Sequence, residues 1–248
     1  MIMRIYLAES GGQFTNLEEE DFRGAYILQS FIYANKKTRE KILPNCADFM
    51  LDSGAFTFMQ TRENVDWNEY VKDYCAFIKK HRIKKFFELD IDFIVGHDRV
   101  KDLRHRIEDI VGLPPIPVWH NSRGADEFVR MCEEYDYVAI GGLVGGNAEY
   151  SRTYWRFFPW FIDTAHKNKA RIHGLGFTST DGIKKYRFDS VDSSTWSCGA
   201  RYGYIYRFNG EKPQQIKRSG AKIADWRTAS RVNFEEWKKY QRYADMKL

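Results

Sequence analysis

The sequence predicts one domain folded as a (β/α)8 barrel, on three observations. Short apolar runs alternate with amphipathic stretches along the chain, the pattern of parallel strands joined by helices. Eight such units fit within 248 residues, the size of a barrel of this type. Acidic residues, histidines and glycines recur at the C-terminal ends of the apolar runs, where such barrels build their sites. A doubly wound open sheet is the alternative, and it is weakened because no GxGxxG follows the first run.

The elements follow in order. "MRIYLAES" (3–10) is the first strand and "DFMLDSGAF" (48–56) the second. In "NVDWNEYVKDYCAFIKKH" (64–81), Val65, Tyr70, Val71, Tyr74, Cys75 and Ile78 recur at helical spacing. "KKFFELDIDFI" (84–94) is the third strand. The helix after it, across 98–112, is closed by Gly112 and Pro114. "PIPVWH" (115–120) and "YVAIGGLVGG" (137–146) are the fourth and fifth strands, with a helix at 125–135 between them. A helix across 152–169 leads to the sixth strand, "ARIHGLGF" (170–177), and a short helix at 180–186 to the seventh, "FDSVDSSTWS" (188–197). "GYIYRF" (203–208) is the eighth, and 233–246 a closing helix. The segment 11–47 is long for one connection and is expected to hold an extra helix or hairpin. No Pro/Gly/Ser-rich linker and no repeat divides the chain, so 1–248 reads as one domain.

Composition narrows the class. With 43% apolar and 16% aromatic residues the chain can bury a large core. No apolar run nears the roughly 20 residues of a membrane span, and "MIMRIYLAES" lacks a signal peptide's apolar stretch. Cys46, Cys75, Cys132 and Cys198 show no CxxC or CxC spacing. Isolated cysteines suit a reducing cytoplasm and form neither a disulfide frame nor a zinc cluster. The net charge of +5 is uneven: residues 201–248 hold 12 Lys/Arg against 5 Asp/Glu, while the rest is slightly acidic. A basic end on a near-neutral body suits a polyanionic partner, with Lys217, Arg218 and Lys222 as phosphate contacts. A solvated basic helix is the other reading.

Polar residues end most predicted strands. They are Asp52 and Ser53, then Glu88, Asp90 and Asp92, then His120, Gly141 and Gly142, His173 and Gly174, and Asp192. A single strand-end Asp is commonly a helix N-cap; capping does not account for acids at three strand ends. Alternation along a strand puts Asp90 and Asp92 on one face with Glu88 and opposite Ile91. Those three acids have a second use, as partners of Lys or Arg. His120, His173 and Asp192 make a conceivable metallohydrolase trio, although no HxH or HExxH pattern supports a metal.

Three motifs, in order, carry a resemblance. "LDSGAF" (51–56) resembles the DSGGFQ signature of the tRNA-guanine transglycosylases, and "AIGGLVGG" (139–146) their GGLAVGE loop. "HGLG" (173–176) followed by "SVDSSTW" (190–196) resembles their GVG…DxFDC segment. Order and spacing agree from about 48 to 200. The chain lacks the family's CxCxxC zinc site, is shorter, and has "PVWHN" where the family has VQGG. These departures resemble the DNA-modifying DpdA-type branch of bacteria and phages, which inserts 7-deazaguanines into DNA.

The resemblance implies a barrel that exchanges guanine for a 7-deazaguanine such as preQ0, without a cofactor or zinc. DNA is the expected partner and tRNA the runner-up. It implies Asp192 as nucleophile and Asp52 as the proton-transfer group, with Ser193, Ser194 and Thr195 orienting the nucleophile or binding a phosphate. Asp90, ahead of Asp92, would accept the donor edge of the base. Ser53, His120, His173, Gly174 and the backbone at Gly141, Gly142 and Leu143 would line its pocket. Phe56, Trp119 and Trp196 would stack on the extruded base or its neighbours. A different barrel hydrolase and a non-catalytic nucleic-acid-binding subunit are the rival readings.

Overall fold

The computed structural model describes residues 3–9, 11–54, 57–58, 65–142, 154–177, 179–202, 204–217 and 225–248. Seven parallel strands form one curled sheet: β1 Arg4–Ala8, β2 Tyr26–Ser30, β3 Asp48–Asp52, β4 Val118–Trp119, β5 Tyr137–Ile140, β6 Arg171–Gly174 and β7 Ser190–Ser193. Their order is β3-β2-β1-β7-β6-β5-β4. The central pairing aligns Tyr6 with Asp192 and His173 with Ser190. Most strand residues are buried on both faces, as expected of a parallel sheet covered by helices.

The segment 85–88 runs between the two edge strands. On one side Leu51 N donates to Lys85 O and Phe87 N to Leu51 O, both at 3.0 Å. On the other, Ile116 N donates to Phe86 O at 2.7 Å and Glu88 N to Ile116 O at 3.1 Å. The Tyr74 hydroxyl clamps the first junction, donating toward the carbonyls of Phe87 (2.9 Å) and Leu51 (3.2 Å).

Strand expectations are corrected in three places. The expected third strand, 84–94, forms only isolated bridges, at Phe86 and Phe87, and turns helical at Asp92. "GYIYRF" does not join the parallel sheet; β8 Tyr204–Phe208 pairs antiparallel with β9 Pro213–Lys217 in a separate hairpin. Its place in the count is taken by β2, inside the long segment 11–47. That segment also holds 3-10 turns at Gln13–Asn16, Glu19–Phe22 and Phe31–Tyr33. β2 escaped a reading by apolar runs because it ends in Gln29 and Ser30, both buried.

Five helices stand close to where their periodicity put them: α1 Trp67–His81, α2 His97–Val111, α3 Gly124–Glu134, α4 Phe158–Lys167 and α5 Thr180–Lys185. The expected strand 188–197 ends at Ser193 and gives way to a helix, α6 Thr195–Tyr202, and the closing helix, α7 Trp226–Lys247, begins seven residues before the expected 233. Asp66 caps α1 through its carboxylate, and Gly112, at φ 76°, ends α2 in the left-handed region. Among the described residues no helix is long and apolar enough to cross a membrane.

Helix α7 packs against the outside of the sheet. Gln241 Nε2 donates to the carbonyls of Ile5 (2.6 Å) and Tyr26 (2.8 Å), and Lys238 Nζ to Asp21 O at 2.7 Å. Arg231 pairs with Glu20 and Asp21, and Lys239 with Glu236. Part of the basic C-terminal charge is therefore spent within the fold. Arg218 and Lys222 lie outside the described residues; Lys217 ends β9.

Candidate functional site

The C-terminal ends of the strands bring three carboxylates near one another. Asp52 ends β3 and is partly buried; its Oδ2 accepts Gly54 N at 3.0 Å. Gly54 has φ 82°, and a Cβ there would approach Ile32 to 2.7 Å, so this tight turn requires glycine. Burial pushes the Asp52 carboxyl up to about 6; the Gly54 N–H opposes this, and the charges of Asp90 and Asp192 add to it. A carboxyl poised near neutrality by burial and like charge is a common mark of acid–base sites.

Asp192 lies on β7 and is 7% exposed. Its Oδ1 accepts Gly176 N at 2.6 Å and the Nε2–H of His173 at 3.2 Å. Among the described residues its Oδ2 accepts no hydrogen bond. His173 is fully buried and both ring nitrogens are engaged, Nε2 with Asp192 and Nδ1 with Ser190 Oγ. The expectation that His173 touches the base is therefore corrected: its buried ring is held against Asp192, Phe87 and Tyr6. Gly174, directly after it, is buried, and a Cβ there would come within 3.3–3.5 Å of Phe177, Val191 and Phe188.

Asp90 and His120 form a pair through Oδ1 and Nε2. Burial alone would lower the His120 imidazole, but the bonded Asp90 carboxylate outweighs it and raises it. Gly141 allows this ring position. A Cβ there would fall 2.5 Å from His120 Cε1 and 2.8 Å from Val118 Cγ1. Gly142 follows at φ 77° and Leu143 lies outside the described residues.

The acids after Phe87 divide differently from the expected alternation. Strand pairing ends at Glu88, and Asp92 starts a helical turn, Asp92–Val95. Both Asp92 oxygens accept from Arg123, Oδ1 from Nε at 2.9 Å and Oδ2 from Nη2 at 2.7 Å. Glu88, fully buried, accepts Arg123 Nη1 at 2.8 Å and Val118 N at 2.7 Å, with Arg104 at 3.5 Å. Glu88 and Asp92 thus take the structural role of ion-pair partners. Ser193 is likewise structural. Its buried Oγ accepts Thr195 N at the start of α6, and Ser194 O accepts the Ser197 hydroxyl.

The aromatic expectations also separate. Trp196 is fully buried, stacks on Phe14 with centroids 5.6 Å apart, and donates to Ala8 O. It is a core residue with no face for a base. Trp119 is 4% exposed, packs on Phe161 and borders a cavity of about 360 Å³ with Asn121, Tyr154, Phe157 and Trp160. Phe56 lies outside the described residues.

The alternative metal trio weighed from sequence does not assemble, because His120 turns to Asp90 while His173 turns to Asp192. Among the described residues the group with ligand atoms mutually within 4.8 Å is Asp90, Asp92 and His120. Asp90 is already bonded to His120, and both Asp92 oxygens to Arg123.

Residues not singled out from sequence complete the site. Glu9, at the end of β1, accepts Phe14 N at 3.0 Å and Gln29 Nε2 at 2.5 Å. Burial pushes its carboxyl up, against the bonds from Gln29 and Phe14. Among the described residues Gln29 Oε1, Ser30 Oγ and Ser53 Oγ are buried without a hydrogen-bond partner, which marks a polar lining at the ends of β2 and β3. Glu9 obeys the strand-end rule that singled out Asp52. Gln29 and Ser30 were hidden with β2.

No family model and no curated protein matches the chain. Among solved structures, the carboxyl transferase domain of Rhizobium etli pyruvate carboxylase with pyruvate aligns at TM-score 0.44 and 12% identity, over 98% of this chain and 48% of that one. The same domain described without pyruvate aligns at 0.46 and 11%, with the same coverage. The chain spans about half the length of these structures.

Proposed function

We propose that the chain is a base-exchange transglycosylase that replaces guanine in DNA with a 7-deazaguanine. The observation that carries this reading is the pair of strand-end carboxyls Asp52 and Asp192. Among the described residues Asp192 is pinned through Oδ1 alone by Gly176 and His173, while burial and the charges of Asp90 and Asp192 push the Asp52 carboxyl up to about 6. Retention at C1′ needs two carboxyl groups in different roles, a nucleophile and a proton-transfer acid–base. Asp192 and Asp52 suit that division. The bridges from 85–88 to Leu51 and Ile116 support a closed eight-membered barrel, with both groups at its C-terminal mouth.

In the proposed reaction Asp192 Oδ2 bonds to C1′ as the C1′–N9 bond of guanine breaks. Asp52 gives its proton to the departing base. The 7-deazaguanine then gives its N9 proton to Asp52 and attacks C1′, and the Asp192 ester bond breaks. Atoms and protons balance without a cofactor. The Asp90–His120 pair supports recognition of the N1–H and N2–H2 edge. The target nucleotide must be flipped or single-stranded to reach the mouth.

Mass spectrometry of nucleosides from DNA and tRNA of cells expressing the chain, supplied with preQ0, tests the reading. A 7-deazaguanine deoxynucleoside is expected in DNA. Modification of tRNA alone would transfer the activity to RNA, and no modified nucleoside in either pool would overturn the proposal.

Asp52→Asn should slow exchange by about 10²–10⁴-fold, the usual contribution of a positioned acid–base. The folded-state carboxyl is raised, so its protonated form is favoured in the native state. Its contribution to stability is full below the unfolded value near 3.8 and is lost as pH rises through about 6. Asp52→Asn should therefore remove a fall in stability between about pH 4 and pH 6. Urea denaturation across that range measures it; an unchanged profile would remove Asp52 from the cluster.

A further inference from the structure

Four buried side chains form a chain of hydrogen bonds that ends on Asp192. Tyr137 on β5 reaches Ser190 Oγ on β7, Ser190 Oγ reaches His173 Nδ1 on β6, and His173 Nε2 reaches Asp192 Oδ1. Exposures are 8% for Tyr137, 1% for Ser190, 0% for His173 and 7% for Asp192. The sense of the chain follows from donor counting. The Asp192 carboxylate can only accept, so the proton between it and His173 sits on Nε2. A neutral imidazole with Nε2–H is bare at Nδ1 and accepts there from the Ser190 hydroxyl. Ser190 has then given its one proton, so the Tyr137 hydroxyl donates to Ser190 Oγ. Arg171, 4.3 Å from the Tyr137 ring centroid, covers the far end.

We propose that His173 is a positioning residue for Asp192, with its tautomer set by Ser190 and Tyr137. The inference deepens the transglycosylase reading and rests on it for its kinetic arm. An aspartate side chain has two rotatable bonds, and one hydrogen bond leaves its plane free to turn. Gly176 N and His173 Nε2–H together hold Oδ1 from β6 and the turn after it. Oδ2 is left to approach C1′. Because His173 is fully buried, it acts through Asp192 and makes no contact with the incoming base.

Two measurements on the full chain test this. Histidine ¹⁵N NMR of the unmodified protein should show the His173 ring with its proton on Nε2 and bare Nδ1; the opposite tautomer would overturn the tether. In a base-exchange assay with DNA and labelled preQ0, His173→Leu should lower kcat by about 10²-fold, the scale of a misplaced reacting group, with KM for preQ0 unchanged. His173→Gln, which keeps a donor, should recover most of the loss. Ser190→Ala should give a smaller loss, because it frees the tautomer and leaves the imidazole in place. Normal kcat in His173→Leu would refute the role, as would equal loss in the Leu and Gln variants with both folded. Absence of exchange in the unmodified protein would instead remove the transglycosylase reading, and the NMR result would still decide the tether.

Discussion

Asp192→Asn should reduce base exchange to background, a fall of about 10⁴-fold or more on the scale of losing a reactive triad member, while the protein stays folded. The substitution is isosteric. Its amide oxygen still accepts from Gly176 N and the His173 Nε2–H, so the local bonds persist. What is lost is the second carboxylate oxygen, whose lone pair must form the bond to C1′. Asp192→Ala should be equally inactive but less stable by about 1–3 kcal/mol, because it leaves the Gly176 and His173 donors unpaired in the interior. Undiminished exchange in Asp192→Asn would place the nucleophile elsewhere. Denaturation of the protein on substitution would show as loss of its cooperative melt and is read in the same samples.

Arg123→Met should destabilise the protein by about 3–5 kcal/mol, the cost of leaving one side of a buried ion pair alone. Arg123 is 1% exposed along its side chain and serves both Glu88 and Asp92. Without it Glu88, fully buried, keeps Val118 N and the more distant Arg104 among the described residues. At this chain length the loss corresponds to roughly 6–20 °C in Tm. Glu88→Gln in the same background should recover part of it, since the orphaned charge is then gone. Asp92 also anchors the helical turn Asp92–Val95, and Arg123 closes the turn Asn121–Arg123 after His120. The same variant should therefore loosen the Asp90–His120 pair. A loss below about 1 kcal/mol would mean that water replaces the guanidinium at Glu88, contrary to its burial.

The division between what was legible and what was not runs along physical lines. Periodicity read α1 and α2 well, because a helix bearing Val71, Tyr74, Cys75 and Ile78 has one face to bury and its pattern is local. The parallel strands β1, β3, β5, β6 and β7 were legible for the same reason, as short apolar runs between helices. So was the recurrence of polar groups at their C-terminal ends. β2 was not, because its last residues are Gln29 and Ser30, polar groups turned into the site. "GYIYRF" read as a sheet strand because apolar alternation says nothing about a partner; pairing with 213–217 is a long-range choice.

Which acid does what was decided only in three dimensions. Glu88, Asp90 and Asp92 are equivalent in sequence, spaced two apart near one strand end. Their roles separate because Arg123, from the turn before α3, reaches Glu88 and Asp92, while His120 reaches Asp90. His173 likewise reads as a base contact until Ser190 and Asp192 from the neighbouring strand occupy both its nitrogens. The sequence by itself determined the α/β alternation and the strand-end positions of the polar groups, since those depend on near neighbours. The tertiary structure alone decided which charges neutralise one another and which stay available, because a buried charge takes its partner from whichever element packs against it.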